Sequence, residues 1–200
     1  MVAYKVDGIK TAAIAAEKAG MTPEEIINAL GDGMTDVGVL FERGKLFLPH
    51  VLSAAAGMKA VMEILEPKMR ASGVKEAKAK AAVVIGTVEG DVHDIGKSIC
   101  STMLQCAGFD VHDLGRDVPT HEFVKEVKGG CKFCGMSALM TTTMVIQKTV
   151  IDQLKADKLR DKVIVMVGGA PVTQGYADKI GADIFGETAS ETTRKAKEKV

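Results

Sequence analysis

Residues 86–100 read GTVEGDVHDIGKSIC, and the residue types in this stretch admit two kinds of chemistry, phosphate binding and metal ligation. The closing Gly96-Lys97-Ser98 matches the end of a phosphate loop, which runs glycine, four residues, then Gly-Lys-Ser/Thr. The opening glycine should stand at position 91, but that residue is Asp91, and Gly90 is one place too early. A carboxylate there would repel a phosphate, which such loops attract with backbone N–H groups and a helix N-terminus. A dinucleotide loop is excluded too, because no two glycines of the stretch are separated by a single residue. His93 carries the other chemistry. Asp91, two residues before it, is near enough to hold one imidazole nitrogen and leave the other for a metal. Gly90 and Gly96 let the backbone fold closely around a bulky partner. One histidine without a cluster of further ligands does not build a zinc site. It suffices for a metal whose other positions are already filled, as in a macrocycle.

The remaining reactive side chains read as structural. Cys100, Cys106, Cys131 and Cys134 should be reduced in a chain of this kind. Cys131 and Cys134 form a C-x-x-C, but CKFCGMSAL reads as a buried strand, on which residues three apart face opposite ways. They are therefore assigned to packing, not to metal or redox chemistry. His50, His112 and His121 read as surface or helix-end histidines, and RKAKEK near the C-terminus as a solvated helix face. Met58, Met62 and Met69 fall at helical spacing and read as core, with Met58 also a candidate to line a ligand face.

The elements that must position His93 follow from the rhythm of the chain. Residues 1–74 are helical in pattern. Residues 5–19 are rich in Ala, Ile and Lys; Thr22, Pro23 and Glu25 start a second helix with a capping box; and LFLPHVLSAAAGMKAVMEILEPKMRASG makes one long helix or two continuous ones. Ile26, Ile27, Leu30, Met34, Val37 and Phe41 share a face of the second helix. Residues 75–80 are polar and charged and read as a linker. From residue 81 to 200, five apolar strands alternate with helices, which implies a parallel, doubly wound sheet. The fold class is thus α/β: a helical-bundle cap followed by a flavodoxin-like five-stranded domain of strand order 2-1-3-4-5. In that order, ligands bind beyond the carboxyl ends of the first and third strands. These ends lead into TVEGDVHDIG and SALMTTTM, and the neighbouring fourth strand delivers VGGAPVT.

Composition sets the remaining bounds. The 200 residues carry 26 basic and 26 acidic side chains, so a general nucleic-acid binder is excluded. No apolar run approaches the ~20 residues of a membrane span, and MVAYKVDGIK lacks a signal-peptide core. A cytoplasmic protein with neither nucleic-acid nor membrane partners is expected.

Asp91-Val92-His93-Asp94-Ile95-Gly96 resembles the D-x-H-x-x-G signature of cobalamin-binding domains. The family's other elements follow in order, as Ser137-Ala138-Leu139 and Gly168-Gly169, and GKLFLPHVLSAAAGMKAVMEILEP resembles its helical cap. The chain is most similar to the corrinoid methyl-carrier proteins of anaerobic methylamine metabolism, through LGRDVP, SALMTTTM and MVGGAPVTQGYADKIGADIFGE. The resemblance implies a bound cobamide with His93 as lower ligand of cobalt, Asp91 on its other nitrogen and Thr143 completing the relay. It implies that Val92, Asp94, Ile95 and Gly96 line the cofactor and that Ser137 and Thr141 contact the nucleotide tail. Leu139, Gly168 and Gly169 would shape the tail's tunnel, and Phe47 would cover the upper corrin face. A neutral-range histidine suits a ligand that must leave the metal and take a proton. The implied partners are a substrate-specific methylamine methyltransferase, a corrinoid:acceptor methyltransferase delivering to coenzyme M or a folate-type carrier, and a reductive activation protein. Gly73 and Lys75–Lys80 are the expected hinge by which the cap swings aside. The first cap helix is short for the family. Carriers for methanol, methoxy compounds or betaine share this reading. A mutase subunit is disfavoured by the cap, a cobalamin sensor by the lack of a basic helix-turn-helix, and a flavodoxin-like module without cobamide by the three-part motif.

Overall fold

The computed structural model describes residues 5–71 and 81–200. The chain forms two compact units, one of the residues up to 80 together with Gln105–Gly108, the other of Ala81–Leu104 and Phe109–Val200. The hinge assigned to Gly73 and residues 75–80 lies outside the described residues, as does the side chain of Met69.

The N-terminal unit has three helices among the described residues: α1 (Val6–Lys18), α2 (Pro23–Glu42) and α3 (Leu48–Ala71). Thr22 and Glu25 close the expected capping box. The Thr22 N–H donates to Glu25 Oε2 at 2.7 Å and the Glu25 N–H to Thr22 Oγ1 at 3.3 Å. Ile26, Met34 and Val37 are buried, and Ile27, Leu30 and Phe41 half-buried. Ile9, Ala13, Ile26, Val61 and Leu65 form the inner cluster where α1, α2 and α3 meet. α3 is one continuous helix of 24 residues. The expectation of no span-length apolar run needs a correction here. Leu48–Leu65 has a mean hydropathy of 1.2 over 18 residues and is long and apolar enough to cross a membrane. Its buried stripe of Val51, Ala54, Met58, Val61 and Leu65 makes it the core helix of this bundle.

The second unit is the parallel sheet. Its strands are β1 (Ala82–Thr87), β2 (Asp110–Asp113), β3 (Phe133–Ser137), β4 (Ile164–Gly168) and β5 (Ile184–Phe185), in the order β2-β1-β3-β4-β5. The helices α4 (Ile95–Cys106), α5 (Thr120–Lys128), α6 (Thr141–Ala156), α7 (Gln174–Ile180) and α8 (Ala189–Lys197) connect them, with a 3-10 turn at Arg160–Lys162. β1 is buried from Val83 onward, as a strand covered on both faces must be. β1 and β3 are neighbours with Thr87 opposite Ser137, and β3 and β4 are neighbours with Ser137 opposite Gly168. The carboxyl ends of the three central strands therefore lie side by side.

Two expectations about cysteines separate here. Cys131, Cys134 and Cys106 are buried, as packing thiols should be. Cys131 and Cys134 do not face opposite ways, however. β3 starts only at Phe133, so strand alternation does not reach Cys131, and both thiols join the cluster under α5 and α6.

Candidate functional site

β1 ends at Thr87, and the loop after it turns back through Gly90 before α4 begins. The Gly90 N–H donates to Asp117 Oδ1 at 2.7 Å, and the Asp117 N–H donates to the Asp91 carbonyl at 3.0 Å. These bonds drive the Asp91 side chain inward, where it is fully buried. Its Oδ1 accepts from the His93 N–H at 3.1 Å and from His93 Nδ1 at 2.8 Å. Its Oδ2 accepts from Thr143 Oγ1 at 2.6 Å, from the Leu139 N–H at 2.7 Å and from the Met140 N–H at 3.4 Å.

α6 has no capping side chain of its own, and Asp91, from another loop, accepts instead from the N–H of its N-cap residue Met140 and of Leu139 just before it. Negative charge is favoured at that helix end. Burial alone would raise the Asp91 carboxyl, but the donations from Thr143, Leu139 and His93 outweigh it and hold the group well below the usual carboxylate range. An ionised Asp91 only accepts, so the proton of the shared bond sits on His93 Nδ1. The Nε2 lone pair is thereby left outward. The His93 side chain is 48% exposed, and Nε2 has no hydrogen-bond partner among the described residues.

The surroundings of that nitrogen are apolar and open. Six large hydrophobic side chains are exposed among the described residues of this unit. Five of them, Val92, Ile95, Leu139, Met140 and Val145, come from the two segments that flank His93. Such a patch beside a free ligand atom marks a surface that something covers. Gly96 lies on α4 with open space where a Cβ would be. Gly169 has φ +120°, and a Cβ there would sit 1.8 Å from the Ala138 carbonyl oxygen, so no side chain fits between the β3 and β4 ends.

Asp91, His93 and Thr143 thus come together, with Leu139 joined through its backbone. Ser137 is half-buried at the end of β3. Gly168 accepts from the Ala138 N–H. Asp94 is half-buried and its carbonyl opens α4, and Thr141 is exposed on the first residue of α6. Phe47 belongs to the helical unit, where it is 65% exposed and its N–H donates to His50 Nδ1.

Two residues escaped the sequence reading. Lys97, left without a role once the phosphate loop was excluded, is buried, and its Nζ contacts both carboxylate oxygens of Asp113 at 2.6 and 2.8 Å. It ties the start of α4 to the end of β2. Gln147 is fully buried and donates from Nε2 to the Met136 and Gly168 carbonyls, both at 3.1 Å, pinning β3 to β4. Its signal was a lone amide on the apolar face of Thr143, Val150 and Leu154.

A B12 binding domain model matches residues 81–194, and a second B12 binding domain model matches residues 1–66. The chain is 56% identical over 200 residues to dimethylamine corrinoid protein 1 of Methanosarcina mazei, covering 99% of this chain and 91% of the relative. A solved cobalamin-binding protein from Desulfitobacterium hafniense superposes with a TM-score of 0.81 at 32% identity, covering 98% of this chain and 93% of the other. The methanol:cobalamin methyltransferase complex of Methanosarcina barkeri contains a chain that superposes with a TM-score of 0.79 at 35% identity. That match covers 98% of this chain and 74% of the other.

Proposed function

The chain belongs to the family of B12-binding corrinoid proteins, and from that premise we propose that it is the methyl carrier of a methylamine methyltransferase system, with His93 as the protein ligand to cobalt. One observation carries the assignment of His93: a carboxylate-locked imidazole presents a free Nε2 within an exposed apolar patch. The residues present fit a cobamide. One outward nitrogen is all that a corrin-bound metal needs, the apolar rim of Val92, Ile95, Leu139 and Met140 suits a large flat ligand, and the face of Gly96 is open.

When bound, the cobamide supplies a cobalt centre that accepts and gives up a methyl group. The chain's part is to set that metal's ligation. Asp91 fixes the tautomer and orientation of His93 and so aims the Nε2 lone pair outward. Thr143 and the N-terminus of α6 keep Asp91 ionised and immobile. His93 Nε2 would be the atom that holds the cobalt, with the Asp91 carboxylate on Nδ1 keeping the ring in place. Ser137 and Thr141 are assigned to the nucleotide tail, with Leu139, Gly168 and Gly169 bounding its path. The favoured substrate is dimethylamine, by likeness to the Methanosarcina mazei relative. The partners assigned are a methylamine methyltransferase, an acceptor methyltransferase and a reductive activation protein, all cytoplasmic.

Reconstitution with cobamide tests this reading. The wild-type chain should become coloured and show the absorption of a histidine-ligated corrinoid. His93→Ala should lose that spectrum and bind cobamide at least ~10-fold more weakly, the lower end of what disturbing a metal site costs. A colourless wild-type protein, or an unchanged spectrum in His93→Ala, would overturn it. Co-purification with a dimethylamine methyltransferase, against a methanol counterpart, tests the substrate.

A further inference from the structure

The pattern of the His93 loop occurs a second time. Residues 110–115 read Asp-Val-His-Asp-Leu-Gly, which differs from residues 91–96 only in Leu114 for Ile95. This copy forms edge strand β2 and the turn after it, so His112 sits within the strand beside β1, level with Val84, whereas His93 lies in the loop beyond the end of β1. His112 is exposed, as a surface histidine should be, yet it is not alone. Glu126 from the last turn of α5 and Cys131 from the turn before β3 converge on its Nδ1. The Nδ1–Oε2 separation is 2.6 Å, Nδ1–Sγ is 3.7 Å and Sγ–Oε2 is 4.0 Å.

We propose that His112 Nδ1, Glu126 Oε2 and Cys131 Sγ form a second metal site, for one divalent transition ion of the zinc type. The three separations define a triangle whose centre lies about 2.1 Å from each corner, where zinc bonds to N, O and S run about 2.0–2.3 Å. The donor set of one imidazole, one thiolate and one carboxylate suits zinc and excludes the all-oxygen shells of calcium and magnesium. Asp110 Oδ2 lies 3.7 Å from His112 Nε2, on the side of the ring away from Glu126 and Cys131. That is where an outer carboxylate orients a ligating histidine. The His112 side chain is 43% exposed, so water can fill a fourth position.

The charges agree with the geometry. Burial, with Glu126 and Asp110 nearby, pushes the Cys131 thiol up to about 11, and the hydrogen bond to Glu126 raises His112. The negative charge that holds those protons is what a divalent cation would neutralise as it displaces them. A bound ion would clasp α5 to the edge strand and to the turn entering β3, fastening that edge of the sheet independently of the cobamide.

The test uses the full chain without cobamide, in wild-type and His93→Ala forms so that the loop histidine cannot be counted. Zn2+ alone is titrated in competition with a chromophoric chelator, and Co2+ is then added as an optical probe. One Zn2+ per chain is expected in both forms, with a thiolate-to-cobalt charge-transfer band for Co2+. His112→Ala should lose more than ~100-fold in affinity and Asp110→Asn about 10-fold, as direct and outer partners do. Cys131→Ser should abolish the band. Cys131 is buried and its variant can lose the fold, whereas His112→Ala on the exposed edge strand keeps the test decisive. Absence of stoichiometric Zn2+, absence of the band in wild-type protein, or unchanged affinity in His112→Ala overturns the proposal.

Discussion

The loop Asp91–Gly96 and the strand-and-turn Asp110–Gly115 spell nearly the same six residues and do different work. In the loop, the backbone turns so that Asp91 folds back onto both the N–H and Nδ1 of His93, and its carboxylate is fully buried. In the strand, residues two apart share a face but stand about 6.6 Å apart along the chain. Asp110 therefore reaches only the far ring nitrogen of His112, at 3.7 Å, and its side chain stays 62% exposed. The His112 Nδ1 turns instead to Glu126, 14 residues on. The two glycines differ as well: Gly96 is helical, whereas Gly115 has φ +84°. Residue types supply a donor and an acceptor, and the backbone decides which pairs with which. The copies are also joined, because Lys97, just after the first, binds Asp113 of the second.

The sharpest test of this contrast removes the two aspartates. Asp91→Ala takes the acceptor from His93 Nδ1 and the Leu139 N–H and leaves Thr143 Oγ1 only the Met140 carbonyl, around a buried gap. It should cost about 3–4 kcal/mol, since each buried unsatisfied donor costs roughly 1–3 kcal/mol with partial relaxation. Asp110→Ala at the exposed strand should cost less than about 0.5 kcal/mol, as surface changes do. Urea unfolding of the cobamide-free chain measures both, and equal losses would break the comparison. Thr143→Val comes next. It keeps the shape and removes one 2.6 Å bond to a charged acceptor, so a loss of about 1.5–2 kcal/mol is expected in the same unfolding measurement. The neighbouring Thr142, exposed on α6, should tolerate the same change with no shift in its urea midpoint.

These residues also mark how far the sequence could be read. The sheet order was legible because five apolar runs alternate with helical patterns, which leaves few topologies. The place of the His93 loop followed from that order alone. The Asp91–His93 pair was legible from a spacing of two, but Thr143 lies 52 residues from Asp91 and was reached only through family resemblance. The role of Lys97 was hidden because its partner stands 16 residues away on the neighbouring strand. Cys131 was misjudged because the start of β3 is set by pairing across the sheet, which apolar runs do not reveal. His112 was passed over because a strand hides its partners: Glu126 and Cys131 converge only after α5 packs back on the sheet.

Substitutions at the two glycines separate folding from ligand binding. Gly115→Ala places a Cβ at φ +84°, where an L-residue costs roughly 1–2 kcal/mol. Gly96→Ala meets nothing within 4 Å and replaces glycine in a helix, so the cobamide-free chain should gain up to about 0.5 kcal/mol. Nothing inside the fold requires glycine at position 96. If the space above it is where the corrin lies against His93, Gly96→Ala should weaken cobamide binding while unfolding later in urea. Gly115→Ala should do the reverse, unfolding earlier and binding cobamide unchanged. A Gly96→Ala chain that binds cobamide as wild type would move the ligand off that face of α4, and with it the division of labour between the two copies.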